Sequence, residues 1–367
     1  MNYRRIYVAA TSQHVGKTTS TLGLISTLRS QGLNVGYCKP VGQQFIDVAE
    51  GRADKDAVLF AQYMGFELQP GIHSPVILGK GTTKEYLGNP EKFMFPDKIL
   101  KASKILDKQH DVVVYEGTGH PGVGSVVDLS NADVAKLLDA GVIMVVEGGI
   151  GNTIDRLKMS IAVFEQQNVP IIGVIINKVL KSKMEDVSNF VGIKLEQMGL
   201  PLLGVIPYEP ELELPLMVGI LNAVKGKVLY NEDYLDNRIE DIIAGSLIDL
   251  EELKSSENLL LIVSVKRLGD ALKRLEKVAK RRGEKDFHIS GIIVTGHSEI
   301  QQSHIDFFLK EQIPVILTEL DTYESVVKIS RMEVKINTRT PWKIVKAVAL
   351  FRQHINIEPV ISRTLSH

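Results

Sequence analysis

Short, uniformly apolar runs alternate with amphipathic stretches through the first part of the chain. The runs are Ile6–Ala10, Val35–Lys39, Val112–Glu116, Val142–Glu147, Ile171–Asn177 and Leu202–Ile206. Strands with so few polar interruptions are buried on both faces, which is the signature of a parallel sheet covered by helices. The stretches between them carry helical periodicity over Lys17–Ser30, Asp56–Met64, Ala132–Ala140, Thr153–Gln167 and Lys183–Met198. This βα rhythm predicts an α/β fold.

The rhythm breaks around Pro207–Pro215, where Tyr208-Glu209-Pro210-Glu211 and then Leu214-Pro215 interrupt it. A second, smaller α/β set follows, with strands at Leu259–Val265, Ile289–Thr295 and Val315–Leu317 and helices at Leu268–Arg282 and Glu299–Glu311. Pro341–His354 reads as a terminal helix. The expected division is a first domain over 1–225, a second over 226–346, and a helix end and tail over 347–367.

The segment Ala10-Thr11-Ser12-Gln13-His14-Val15-Gly16-Lys17-Thr18-Thr19 joins the first strand to the first helix. Strand, loop and helix in that order form a phosphate-binding loop: backbone N–H groups at a helix N-terminus cradle a polyphosphate, with the positive end of the helix dipole behind them. Lys17 supplies a point charge for the β- and γ-phosphates, and Thr18 a hydroxyl for Mg²⁺. Thr11 stands where the GxxxxGK[ST] pattern has its first glycine. His14, Val15, Gly16, Lys17, Thr18 and Thr19 are therefore the expected nucleotide-binding residues.

In an open parallel sheet, ligands bind beyond the carboxyl ends of the strands. Lys39-Pro40 ends the second run, where a lysine projects toward the phosphate loop. Val112-Val113-Val114-Tyr115-Glu116-Gly117 is an apolar strand closed by a carboxylate, as a Mg²⁺ site beside the loop hydroxyl requires. A glycine-rich stretch, Gly117 to Ser125, follows and carries His120, which reads either as a solvated imidazole or as a catalytic group. Asp54-Lys55-Asp56 opens a helix, so Asp56 is either a metal-shell ligand or an N-cap. Asn177 closes the fifth run with a side-chain amide able to read a purine edge.

Composition narrows the partners. A chain of 367 residues with formal net charge -1 has no global field for nucleic acid or an anionic membrane. The basic run Lys273, Arg274, Lys277, Lys280, Arg281, Arg282 is interrupted by Glu276 and followed by Glu284, with no aromatic platform beside it, and reads as a solvated helix face. No apolar run approaches the roughly 20 residues of a membrane span. The first strand begins almost at once, which leaves no room for a secretory leader. The single cysteine, Cys38, lies in an apolar strand and reads as a small buried hydrophobe in a reducing compartment. The expectation is a cytoplasmic protein.

Taken together, Val15-Gly16-Lys17-Thr18, Lys39-Pro40-Val41, Lys55-Asp56-Ala57, Glu116-Gly117-x-Gly119, Asn177 and Ile206-Pro207-Tyr208 resemble the dethiobiotin synthetase family of P-loop ligases over about Met1 to Lys225. The resemblance implies a P-loop NTPase sheet flanked by helices, with ATP and Mg²⁺ as cofactors. It places Lys17 on the transferring phosphate and Lys39 near the substrate carbamate or acyl phosphate, the two catalytic positions. Thr18, Asp56 and Glu116 would share Mg²⁺, Asn177 would recognise adenine, and Pro207 would join the nucleotide site. The lead-in Ala10-Thr11-Ser12-Gln13 differs from the family's Gly-Thr-Asp-Thr.

The second half, about Asn237 to Lys346, is similar to the DRTGG domain through Ile293-Val294-Thr295-Gly296-His297 and the segment from Pro314 to Glu324, with Lys266-Arg267 and His297 at positions where the name-giving residues differ. The order of the two modules resembles the N-terminal region of long phosphotransacetylases. Two functions are implied: an ATP-binding regulatory module of phosphotransacetylase-type metabolism, or an ATP-dependent ligase that activates a small carboxylate or carbamate. Both resemblances imply a homodimer.

Overall fold

A computed structural model of the chain describes residues 3–245, 257–282, 288–296 and 299–364. The chain forms two compact units: Met1–Leu212 together with Ile336–His367, and, inserted between these, Glu213–Lys335. Among the described residues no helix is long and apolar enough to cross a membrane.

The first unit is built on six parallel strands. Their order across the sheet is Leu202–Pro207, Ile171–Val179, Gly141–Glu147, Arg5–Ala10, Val112–Glu116 and Val35–Cys38. Helices cover both faces. Alternate residues of each strand enter opposite cores: Tyr7, Ala9, Val113 and Tyr115 pack on one face, while Ile6, Val8, Val112 and Val114 pack on the other. Arg5–Ala10 has neighbours on both sides, Val112–Glu116 and Gly141–Glu147. The crossovers diverge there, which opens a crevice at its carboxyl end. The phosphate loop and the helix Lys17–Ser30 start in that crevice.

The sequence reading left 65–111 without an element. A helix, Phe95–Gln109, fills much of it and leads into the strand Val112–Glu116. Its buried residues Phe95, Ile99, Ala102 and Leu106 recur at helical spacing, so the signal was present in the chain. Two small additions border the site: the hairpin Phe45–Val48 with Gly51–Asp54, and the parallel pair Val41–Gly42 with Val76–Ile77.

From Ile336 the chain returns to the first unit, whereas the sequence reading gave 226–346 to the second domain and 347–367 to a tail. The reason is apolar burial. Leu350, Phe351, Ile355 and Val360 share a core with Leu22, Leu24, Ile25 and Leu28 of the first helix. Arg352 donates to the Ser26 hydroxyl at 2.9 Å, and Lys343, wholly buried, donates to the Leu212 carbonyl at 2.9 Å. The helix Pro341–His354 lies so close to Lys17–Ser30 that a Cβ on Gly23 would stand 2.1 Å from Phe351. Gly23→Val is therefore expected to cost about 3 kcal/mol, the upper range for overpacking. A thermal melt superimposable on wild type would show that the helix is not seated there.

The second unit has a five-stranded sheet in the order Lys227–Tyr230, Val315–Thr318, Ile289–Thr295, Leu259–Ser264 and Asp241–Ala244. All pairs are parallel except the one made by Lys227–Tyr230. The two outer strands were not expected; each is four residues long and only partly buried, which leaves little apolar pattern to read. Asp321 caps the helix Thr322–Ser330, accepting the Glu324 N–H at 2.7 Å. His297 of the DRTGG-like segment lies outside the described residues. In the basic helix Leu268–Arg282, Lys280 pairs with Glu276 at 2.7 Å on the solvated face.

Candidate nucleotide site

The strand register brings the separate sequence segments together. Val8 is level with Glu116, and Cys38 with Tyr115. Lys39, one residue past its strand, thus comes level with the strand-end carboxylate, and the loop begins beside both. Gly16 caps the first helix with φ of 97°, a left-handed conformation that an L side chain rarely adopts. A Cβ there would also stand 2.0 Å from the Asn177 amide nitrogen. His14 is left-handed as well, at φ of 61°, and exposed. Val15 is buried, and Thr19 is half-buried on the first turn.

Six polar side chains converge at the loop. Thr18 Oγ1 donates to Glu116 Oε1 at 3.0 Å. Lys39 Nζ donates to Asp56 Oδ2 at 2.7 Å, to Glu116 Oε1 at 3.2 Å and to the Gly117 carbonyl at 3.0 Å, which uses its three N–H bonds. Lys17, itself buried, donates to the Gly119 carbonyl at 2.6 Å. Asn177, on the neighbouring strand end, donates from Nδ2 to the Val15 carbonyl at 2.8 Å and so holds the loop from its other side.

Charge is balanced inside the cluster. Burial opposes the Lys39 charge, but Asp56, Glu116 and Asp54 outweigh it and hold the ammonium above the ordinary lysine range. Burial raises Glu116 above the usual carboxylate range, against the pull of Lys39. Lys39 is thus a cation locked between two acids.

Asp54 and Asp56 divide the roles the sequence left open between them. Asp54 is the N-cap: its carboxylate accepts from the Asp56 N–H at 3.0 Å and from the Gln43 and Gln44 N–H groups. That frees the Asp56 carboxylate for Lys39. Cys38 is wholly buried, donates to the Ile72 carbonyl at 3.3 Å, and its thiol is pushed well up by burial, which leaves it unreactive.

Asn131 escaped the sequence reading. Its amide donates to the carbonyls of Thr118 and His120 at 2.9 and 2.7 Å and accepts from the Thr118 N–H and the Tyr7 hydroxyl. It fixes the glycine-rich loop whose Gly119 meets Lys17. Nothing local flags it, since its partners lie 11 to 124 residues away in sequence. The His120 ring, by contrast, accepts from the nearby Gly122 N–H at 3.2 Å, a local turn interaction. Pro207 is buried at the end of the edge strand, level with Val179, and lines a cavity with Met184, Glu209 and Leu350.

Mg²⁺ fits these residues. Glu116 Oε2 is buried with no hydrogen-bond partner among the described residues, and a buried acceptor left unpaired calls for a cation or a water. Two carboxylates and a hydroxyl are what a phosphate-bound Mg²⁺ takes from protein.

Residues 4–215 match the AAA domain family AAA_26, more than half of the chain. The chain belongs to this AAA domain family. Residues 219–332 match the DRTGG domain. The AAA domain and its DRTGG partner are together similar to the phosphate acetyltransferase of Nitratidesulfovibrio vulgaris, 24% identical over 98% of this chain and 52% of that protein. The Synechocystis phosphate acetyltransferase is 25% identical over 97% of this chain and 51% of its own. A probable cobyric acid synthase of Methanocaldococcus jannaschii is 30% identical over 57% of this chain and 46% of that protein. The chain thus spans about half the length of the curated relatives it matches. The P-loop sheet with a second, smaller α/β domain agrees with the sequence reading.

Proposed function

We propose that the AAA domain binds Mg·ATP and that the chain is an ATP-responsive regulatory module of phosphate-acetyltransferase-type metabolism. The observation that carries the nucleotide reading is the linked set Thr18, Glu116, Lys39 and Asp56 beside the loop, with one Glu116 oxygen unpaired. Thr18, Asp56 and Glu116 would hold Mg²⁺, which when bound neutralises charge on the phosphates. Lys17 would exchange the Gly119 carbonyl for phosphate oxygens. The regulatory role draws on the DRTGG domain and on the two phosphate acetyltransferases that the whole chain resembles. Assembly as a homodimer through the second unit belongs to the same reading.

A second reading, an ATP-dependent ligase acting on a small carboxylate or carbamate, is favoured by Lys39. A buried ammonium just past a strand end, bonded to the carboxylate that also holds Thr18 of the loop, would stabilise charge that develops on an acyl phosphate. The similarity to a probable cobyric acid synthase points the same way.

Calorimetric titration of the full chain tests the nucleotide reading. ATP should bind with Mg²⁺ and lose about tenfold or more in affinity with a chelator present. GTP should compete poorly, because Leu180 stands where a guanine-reading aspartate would follow Asn177. Equal displacement of labelled ATP by GTP and ATP would remove the adenine assignment, and affinity indifferent to Mg²⁺ would remove the metal site.

A further inference from the structure

The inner strands of the second unit run apolar to their carboxyl ends and there change character. Leu259–Ser264, Ile289–Thr295 and Val315–Thr318 each end in a hydroxyl. The register sets Ser264 level with Thr295, and Thr295 level with Thr318. Each stands two residues on from a member of one core, Ile262, Ile293 or Ile316, so the three side chains leave the same face of the sheet. The result is a row of hydroxyls at the carboxyl edge, where open parallel sheets take their ligands.

The fold uses one end of that row and leaves the other unused. Thr318 Oγ1 donates to the Val224 carbonyl at 2.8 Å and accepts from the Leu320 N–H at 3.2 Å. Thr295 is as deeply placed, 5% exposed, yet its hydroxyl has no hydrogen-bond partner among the described residues. A hydroxyl at that depth is ordinarily paired. Ser264 stands at the N-cap of the turn Val265–Arg267, and its side chain makes no cap bond. Gly296, directly after Thr295, is left-handed at φ of 87°, and a Cβ on it would meet no described atom within 4 Å. Among the described residues, the space beside Thr295 is open.

The charges on this side select an anion. Lys266 and Arg267 follow Ser264 closely and are both exposed. The helix Leu268–Arg282 starts directly after them and brings the positive end of its dipole to the same edge. Lys266 makes no ion pair among the described residues. Asp270, in the first turn of that helix, is the acid on this side. Glu319 and Asp321 lie past Thr318, and Asp321 is occupied as a cap by the Glu324 N–H. Neighbouring strands run about 4.8 Å apart, so one tetrahedral anion can accept from the Ser264 and Thr295 hydroxyls together, at about 2.7 Å each.

We infer that Ser264, Thr295 and Lys266 form a phosphate site at the carboxyl edge of the second unit, distinct from the phosphate loop. It takes inorganic phosphate or the phosphoryl group of a small ester. The two hydroxyls donate to its oxygens, and Lys266 balances its charge. The site stands without the nucleotide reading, and it gives the second unit a ligand of its own.

Titration of the full chain with inorganic phosphate, and separately with methyl phosphate, tests this by calorimetry and phosphorus NMR. In a Lys17→Ala chain, where the phosphate loop contributes little, one phosphate should bind per chain. Thr295→Val or Lys266→Met, added to Lys17→Ala, should each weaken it by about tenfold, as loss of a bond to a charged group implies. Thr295→Val should melt like its parent, because it removes a hydroxyl without a partner in the fold, and phosphate should raise the melting temperature of the parent more than that of the variant. Tighter binding of methyl phosphate marks an ester as the ligand, and tighter binding of phosphate marks the free ion; either supports the site. No uptake of phosphate by Lys17→Ala at millimolar concentration overturns the inference. So does an affinity that both Thr295→Val and Lys266→Met leave within about twofold. Should Thr295→Val fail to fold, Lys266→Met, at an exposed position, decides alone.

Discussion

Lys17→Ala is expected to lower Mg·ATP affinity by about a hundredfold, roughly 3 kcal/mol, the upper range for a charged hydrogen bond that loses its partner. The ammonium is buried at the mouth of the first helix, where the medium screens its field less than water would. Backbone N–H groups remain in the variant, but they carry only partial charge. The fold should survive, because Asn131 still holds the glycine-rich loop when the lysine's bond to the Gly119 carbonyl is lost. Circular dichroism and calorimetry on the same preparation check both halves. A folded variant with wild-type affinity would sink the phosphate site.

Lys39→Met should instead act first on stability. It leaves Glu116 and Asp56 facing each other without the cation that bridges them, and breaking a buried pair by removing one partner costs about 3–5 kcal/mol. Glu116→Gln added to Lys39→Met should recover much of the loss, since the carboxylate is the group left uncompensated. Urea denaturation of wild type, single and double variants forms the required cycle. If the double variant is less stable than Lys39→Met by the full cost of a second independent mutation, the bridge is not the source of the effect. Under the ligase reading, Lys39→Met also removes turnover by orders of magnitude in whatever fraction remains folded. Under the regulatory reading the stability loss is the whole phenotype.

Much of the first unit could be read along the chain because its signals are local or periodic. Uniformly apolar runs ending in polar residues mark buried parallel strands, and a loop lysine and threonine at a strand-to-helix joint mark a phosphate site; both follow from backbone geometry that neighbouring residues share. Thr18, Lys39, Asp56 and Glu116 could be nominated for the same reason, each standing at an element's end. What the chain could not disclose was how their charges pair. Only the sheet register puts Lys39 between Asp56 and Glu116, and only the fold divides Asp54 as cap from Asp56 as ion-pair partner. Asn131 is a further case, a lone amide whose meaning lies in partners gathered from distant segments.

The C-terminal segment shows the same limit at the scale of domains. Periodicity identified the helix Pro341–His354, but a helix's apolar face does not say which core it enters. That choice rests on shape, in this case the bare backbone at Gly23 beneath Phe351 and the Leu212 carbonyl that Lys343 reaches. A cut near residue 226, natural from the sequence, would therefore remove Leu350, Phe351 and Val360 from the first unit's own core. Sequence by itself determined the element types and the chemistry at their ends, because those depend on near neighbours. Tertiary structure alone decided pairing, register and the return of the last helix, because those depend on burial between residues far apart in the chain.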